Sequence, residues 1–182
     1  MTLTKTPICD FGKKADNFEL KSIDNKIISL NNAKGENGTL IMFICNHCPY
    51  VIHYHDEIKR LANDFDNTIN MVAISSNDIK EYPQDGPDKM RELWVELGLS
   101  FPYLFDSTQD VAKQYKAECT PEFYLFDSSQ KLVYRGRLDE SSPNSGSEPT
   151  GKDLRNAIEN MLNNEEVNPD QFPSMGCNIK WK

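Results

Sequence analysis

TLIMFICNHCPYVIHYH, Thr39 to His55, sets a continuous apolar run directly against two cysteines and a proline. A run such as Thr39–Ile44, with no polar alternation, suits a strand buried on both faces. From Pro49 the period changes. Val51, Tyr54, Ile58, Leu61 and Phe65 recur at helical spacing and predict one amphipathic helix over 49–65. INMVAIS, Ile69–Ser75, is a second buried strand. Strand, helix and strand in one unit imply a parallel pair joined by a right-handed crossover. Cys45 and Cys48 are thereby placed where a sheet strand ends and a helix begins, with Pro49 at a position that tolerates a missing N–H.

The rest of the chain extends this unit. NFELKSIDNKIISL reads as a β-hairpin over about 16–32, turning at Asp24-Asn25. Pro87 opens a helix with Met90, Leu93, Trp94 and Leu97 on its core face and Gly98 as its stop. Tyr103–Asp106 is a short strand, and Ser107 with Asp110 forms a capping box for a helix to about Lys116. EFYLFD and KLVYRG form an antiparallel hairpin. Thr150 and Asp153 cap a last helix with Leu154, Ile158, Met161 and Leu162 facing inward. The tail, about 164–182, has no clear period, yet Phe172, Met175, Ile179 and Trp181 predict that it packs back on the core. The fold class is α/β: a mixed sheet with helices on both faces, in one domain over 1–182. A chain of 182 residues, 38% hydrophobic and 26% charged, is long enough to bury such a core.

A net charge of −8 leaves no basic stripe and argues against nucleic acid or an anionic membrane surface as a partner. No apolar run approaches the roughly 20 residues that span a bilayer. MTLTKTPICDFG does not resemble a signal peptide, so a cytoplasmic location is expected. Cys9, Cys45, Cys48, Cys119 and Cys177 are too few and too spread for a secreted disulfide scaffold.

The chemistry therefore centres on Cys45 and Cys48. Unpaired N–H groups and the positive end of a helix favour thiolate over thiol. Cys45, on the exposed edge of the turn, is expected to have a lowered pKa and to attack, with Cys48 resolving the mixed disulfide. Asn46 and His47 tune the couple; a protonated His47 stabilises the Cys45 thiolate and makes the pair more oxidising. Thr120-Pro121 stands at a strand entrance, where a proline is permitted. A zinc site needs two ligands beyond the CxxC pair, drawn from Cys9, Cys119, Cys177, His53 or His55, and no second CxxC exists. The βαβ setting favours redox chemistry and no metal; His53 and His55 are read as solvated surface residues. Cys119 is expected either near the dithiol or as a small core residue, and Cys177 lies on a tail that can cover the site, which allows a Cys119–Cys177 relay. Cys9 is read as incidental. Arg135 and Arg137 share a solvated face. Glu118 and Glu122 flank Thr-Pro as candidate proton acceptors for Cys48, with surface exposure as their more ordinary fate. Trp94 belongs to the core and Trp181 anchors the tail.

A buried strand, CxxC, a helix, a second strand, Thr-Pro opening a hairpin and a final helix resemble the thioredoxin superfamily. The added strand and helix, Tyr103–Lys116, and the N-terminal hairpin resemble the branch that joins TlpA/ResA-like thiol–disulfide oxidoreductases to the AhpC/TSA peroxiredoxins. CNHCPYV, SSND, CTPEFYLFD and GCNIKWK resemble a group of bacterial thioredoxin-family proteins within that branch. The resemblance implies a cis bond before Pro121, a Cys45 nucleophile, a resolving Cys48, and Thr120-Pro121 as the backbone platform beside them. It implies a protein disulfide or small oxidised thiol as substrate, with a reductase or small thiol as electron donor and no bound cofactor. Peroxiredoxin nucleophiles sit in a Pro-x-x-x-Thr-x-x-Cys setting, whereas Met42 precedes Cys45 by three and Cys45 itself precedes Cys48 by three. An antioxidant thiol peroxidase is therefore the second expectation, and a thioredoxin-fold copper or zinc chaperone the third.

Overall fold

The apolar run becomes β4 (Gly38–Phe43), the strand on which the rest is assembled in the computed structural model, which describes residues 2–5 and 10–182. Cys9 lies outside the described residues. Leu40 and Met42 face one core cluster and Ile41 and Phe43 the other, all four fully buried. The run lacks alternation because both faces are covered. Before β4 come β1 (Leu3–Lys5), β2 (Glu19–Ser22), β3 (Ile27–Ser29) and α1 (Leu30–Ala33). After it come α2 (Pro49–His53), α3 (His55–Asp64), β5 (Asn70–Ser75), a 3-10 turn (Pro83–Asp85) and α4 (Pro87–Leu97). The chain continues with β6 (Tyr103–Phe105), α5 (Asp110–Gln114), β7 (Cys119–Thr120), β8 (Glu122–Asp127), β9 (Leu132–Gly136), α6 (Lys152–Leu162) and β10 (Met175–Asn178).

Among the described residues, seven strands form a mixed sheet in the order β3-β2-β6-β5-β4-β8-β9. β4 runs parallel to β5 and β5 to β6, while β8 lies antiparallel to β4 with Phe43 opposite Glu122. Val51, Ile58, Leu61, Met90, Trp94, Leu154 and Ile158 cover one face from α2, α3, α4 and α6. Leu30, Ala33, Val111 and Ala112 cover the other from α1 and α5. The α/β layering with helices on both faces is thus the one the periodicities predict. A second small sheet, β1-β10-β7, carries the C-terminal strand onto Thr120. Among the described residues no helix is long and apolar enough to cross a membrane.

Several local expectations are corrected. The helix over 49–65 breaks at Tyr54, whose N–H bonds Val51 O at 3.0 Å and whose hydroxyl is anchored on Ser141 O at 2.8 Å. Neither predicted capping box forms. Gln109 and Gly151 occupy the caps of α5 and α6 in left-handed conformation. The buried carboxylate of Asp106 accepts Ala112 N–H at 2.9 Å, and Asp139 accepts Thr150 and Gly151 N–H at 2.6 and 2.7 Å. Asp153 instead pairs with Arg137 at 2.6 Å.

Arg135 is buried, not solvated: its guanidinium bonds Glu122 Oε1 at 2.9 Å through Nε and lies over the Tyr124 ring. Glu122 also accepts Tyr124 OH at 2.8 Å and Glu118 N–H at 3.0 Å, so its oxygens are committed to holding β8, β9 and the β7 entrance together. In the tail, Ile179 is buried, whereas Phe172 is 56% and Trp181 41% exposed. The tail is held largely by backbone pairing and polar contacts: Lys180 N–H bonds Asn77 Oδ1 at 2.9 Å, and Gln109 Nε2 donates to Lys180 O at 2.8 Å.

Gly176 lets β10 approach β7. A Cβ there would collide with the carbonyl oxygen of Thr120. Backbone cannot yield as a side-chain tip can, so Gly176→Ala is expected to lower stability by about 1–3 kcal/mol. Denaturant unfolding of the reduced protein measures this; an unchanged midpoint would show that β10 packs less closely than described.

Candidate active site

Cys45 follows β4 by two residues, and Cys48 is the N-cap of α2, with Pro49 at the first helical position. The strand fixes one sulfur and the helix start fixes the other. Thr120, joined to Pro121 by a cis peptide bond, touches both: its hydroxyl is 3.3 Å from Cys45 Sγ and its carbonyl oxygen accepts from Cys48 Sγ at 3.1 Å. The structure brings together Cys45, Asn46, His47, Cys48, Thr120 and Pro121.

Cys45 does not lie on an exposed edge. It is 1% exposed and Cys48 0%. The cover comes from the 3-10 turn, whose Asp85 is fully buried. Asp85 Oδ1 accepts the N–H groups of Asn46 and His47 at 2.8 and 3.3 Å, the two amides that the CxxC turn leaves unpaired. Its Oδ2 lies 2.6 Å from His47 Nδ1 and accepts Asn77 Nδ2 at 2.8 Å. Asn46 donates to Gln84 O at 2.9 Å and accepts from Tyr103 OH at 3.2 Å, and the His47 ring stacks on Tyr82 at 5.2 Å. With Nδ1 directed at the carboxylate, His47 turns its Nε2 into a buried position without a hydrogen-bond partner. The sequence singled out His47 but not Asp85, which sits in a polar loop with no distinguishing spacing.

The lowered pKa expected of Cys45 alone is a property of the pair. The Cys48 thiol is pulled down to about 5, first by the hydrogen bond from Cys45, against its burial, then by Cys177 and the Val51 N–H. The Cys45 thiol is pushed well up by the hydrogen bond it gives Cys48, by burial and by the Asp85 carboxylate, with the Thr120 hydroxyl pulling the other way. The Thr120 carbonyl accepts a hydrogen bond from Cys48 and its hydroxyl can donate to Cys45, an arrangement in which the proton sits on Cys48 and the charge on Cys45. One proton is thus shared between two sulfurs, and the charge can pass from one to the other.

The other candidates fall elsewhere. Cys119 is buried with its sulfur 3.8 Å from Pro121 O. β10 pairs Cys177 with Thr120 and Asn178 with Cys119. Directly opposed residues share a face and adjacent ones do not, so Cys177 lies on the Thr120 face and Cys119 on the other, which separates the expected relay. Cys177 instead packs in the same buried cluster as Cys45 and Cys48, where it helps to lower the Cys48 thiol. His53 Nε2 is 2.9 Å from Ser141 Oγ, and His55 is half-buried, its pKa lowered by burial; neither is a solvated surface residue. Among the described residues, the His/Cys/Asp/Glu group with ligand atoms within 4.8 Å of one another is Cys45, His47 and Asp85, not the dithiol with His53 or His55. A cavity of about 930 Å³, lined by Asn37, Thr68, Asp127, Met161 and Val167, lies at the far end of β4 from Cys45.

None of the curated proteins matches the chain. Among solved structures, an uncharacterized conserved protein from Geobacillus kaustophilus is 47% identical with a TM-score of 0.97, covering 100% of this chain and 97% of that one. A hypothetical protein from Sinorhizobium meliloti is 36% identical with a TM-score of 0.96, covering 98% of each chain. The thioredoxin domain of a thiol-disulfide oxidoreductase from Bacteroides vulgatus, 19% identical with a TM-score of 0.63, shares the fold over 84% of this chain and 97% of that one. The AhpC/TSA family matches residues 11–135, from the N-terminal hairpin through the CxxC turn to β9. A match across more than half of the chain settles the classification: this chain belongs to the AhpC/TSA family, on a thioredoxin-like fold.

Proposed function

We propose that this protein is a thiol–disulfide oxidoreductase whose Cys45–Cys48 dithiol exchanges with the disulfide of a protein or small thiol. The observation that carries the reading is Thr120, which offers a hydroxyl to one sulfur and a carbonyl to the other. That arrangement lets a single proton move to Cys48 while negative charge gathers on Cys45. Cys45 Sγ then attacks a substrate sulfur; a Cys45–substrate bond forms, the substrate S–S bond breaks, and the first thiolate leaves. Cys48 next gives up its proton to that thiolate and attacks Cys45 Sγ, releasing the second substrate sulfur as the Cys45–Cys48 disulfide forms. Two electrons pass to the substrate, and a reductase or small thiol restores the dithiol. Asn46 and His47 act as positioning residues through Asp85. Disulfide exchange is favoured over peroxide reduction because Arg135, the buried cation nearest in sequence to Thr-Pro, is committed to Glu122 and Tyr124.

A Cys48→Ser variant should accumulate a mixed disulfide on Cys45 when offered a disulfide substrate, seen as an added substrate mass that dithiothreitol removes. A Cys45→Ser variant should not trap substrate. Rapid hydrogen peroxide turnover with dithiol, without reduction of disulfides, would move the assignment to a thiol peroxidase, and near-stoichiometric copper or zinc in protein purified without chelators would move it to a metal chaperone.

Thiolate absorbance of the reduced protein, taken as the difference from Cys45→Ala/Cys48→Ala, should rise by one thiolate with a midpoint of about 5. Exchange should therefore slow as pH falls through that midpoint, because the pair then holds both protons. Cys45→Ala should raise the midpoint by removing the donor that contributes most to it. Asp85→Asn should lower the second, high midpoint, because the carboxylate opposes the Cys45 thiolate. A pair titrating like two ordinary thiols would refute the shared-proton arrangement.

A further inference from the structure

We propose that Cys177 is a third redox thiol, which takes over the disulfide from the active pair as a Cys48–Cys177 bond. The proposal rests on the exchange reading above only for the source of the first disulfide. Three observations on the fold converge on it. β10 lies antiparallel on β7 with Cys177 opposite Thr120, the residue whose carbonyl accepts from Cys48 Sγ at 3.1 Å. Gly176 has no side chain to hold β10 off that carbonyl, so the strand sits at the closest approach a backbone allows. Cys177 is 6% exposed and packs in the same buried cluster as Cys45 and Cys48. The Cys48 sulfur therefore has thiols on two sides: Cys45 from the end of β4 and Cys177 from β10.

The step conserves electrons. Starting from the Cys45–Cys48 disulfide, Cys177 Sγ attacks Cys48 Sγ. The Cys48–Cys177 bond forms, the Cys45–Cys48 bond breaks, and Cys45 leaves with the electron pair. The proton of Cys177 passes to Cys45, so one disulfide and one thiol become one disulfide and one thiol. Burial pushes the Cys177 thiol up to about 12, which makes its free thiolate scarce at neutral pH. Burial and the Asp85 carboxylate also work against a Cys45 thiolate, so the departing Cys45 is an acceptor for that proton. The consequence is a second oxidised form, with its disulfide beneath β10 and Cys45 reduced.

Peptide mapping without reduction tests this. Trypsin leaves Cys45 and Cys48 together in the peptide Gly35–Lys59 and Cys177 in Asn156–Lys180. Wild-type protein, oxidised with diamide (an azo oxidant that takes up two thiol hydrogens) and then alkylated, should yield a cross-link between these peptides with the alkyl group on Cys45. It should be accompanied by Gly35–Lys59 carrying the internal loop. The Cys45→Ser variant treated the same way should convert to the cross-link as its main product, since Cys177 is the other thiol beside Cys48 among the described residues. An internal loop in the wild type with no cross-link in either protein overturns the Cys177 proposal and leaves the exchange reading standing. Absence of both the loop and the cross-link overturns the exchange reading as well.

Discussion

Thr120 is the contact on which the site depends. One residue places a hydroxyl 3.3 Å from Cys45 and a carbonyl 3.1 Å from Cys48, and pairs on its other side with Cys177 of the C-terminal strand. A buried network around Glu122 holds that residue against the end of β4. Glu118 N–H, two residues before Thr120, is fixed by buried Glu122, and Glu122 by Arg135 and Tyr124. A buried carboxylate this well paired adds little net stability, but removing one partner leaves an uncompensated charge. The network is better understood as fixing position than as holding the fold together.

The tail and the site are one polar system. Lys180 N–H bonds Asn77, Asn77 bonds Asp85, and Asp85 bonds both amides and the imidazole of the CxxC turn. The residues that terminate the chain thereby set the position of a carboxylate beside the dithiol. This accounts for a tail with two exposed aromatic side chains that nonetheless lies in a defined place: directional hydrogen bonds, more than apolar area, hold it.

The sheet was legible because its signals are local. Six residues of unbroken hydrophobicity, a change to helical period and the proline between them specify strand, turn and helix without reference to distant sequence. The Pro87 helix with its left-handed Gly98 stop was legible for the same reason. What the sequence hid is non-local. Asp85 lies thirty-eight residues or more from the amides it caps, and nothing in PQDG distinguishes it from a solvated turn. Asp106 takes the Ala112 N–H inside α5, and Asp139 takes the Thr150 and Gly151 N–H groups just ahead of α6, so buried carboxylates several residues upstream anchor both helix starts with charge-assisted bonds. The burial of Arg135 and of Cys45 was likewise invisible, since each is created by a partner segment elsewhere in the chain.

The remaining question is which way electrons run, and the site contains two opposed answers. Donation from Val51, Cys177 and the Thr120 hydroxyl stabilises a thiolate in the pair, and whatever stabilises thiolate favours the reduced form and makes the couple more oxidising. Asp85 acts in the other direction. Two unit charges about 4 Å apart at an effective dielectric near 20 interact by roughly 4 kcal/mol. A neutral hydrogen bond contributes about 1 kcal/mol net. A bare carboxylate beside the sulfurs would therefore outweigh several donors. His47 Nδ1 lies 2.6 Å from Asp85 Oδ2, in the same tight group as Cys45. The carboxylate that opposes the Cys45 thiolate is thus held by the imidazole and the two turn amides between the cysteines, so the motif itself positions the charge that works against its donors.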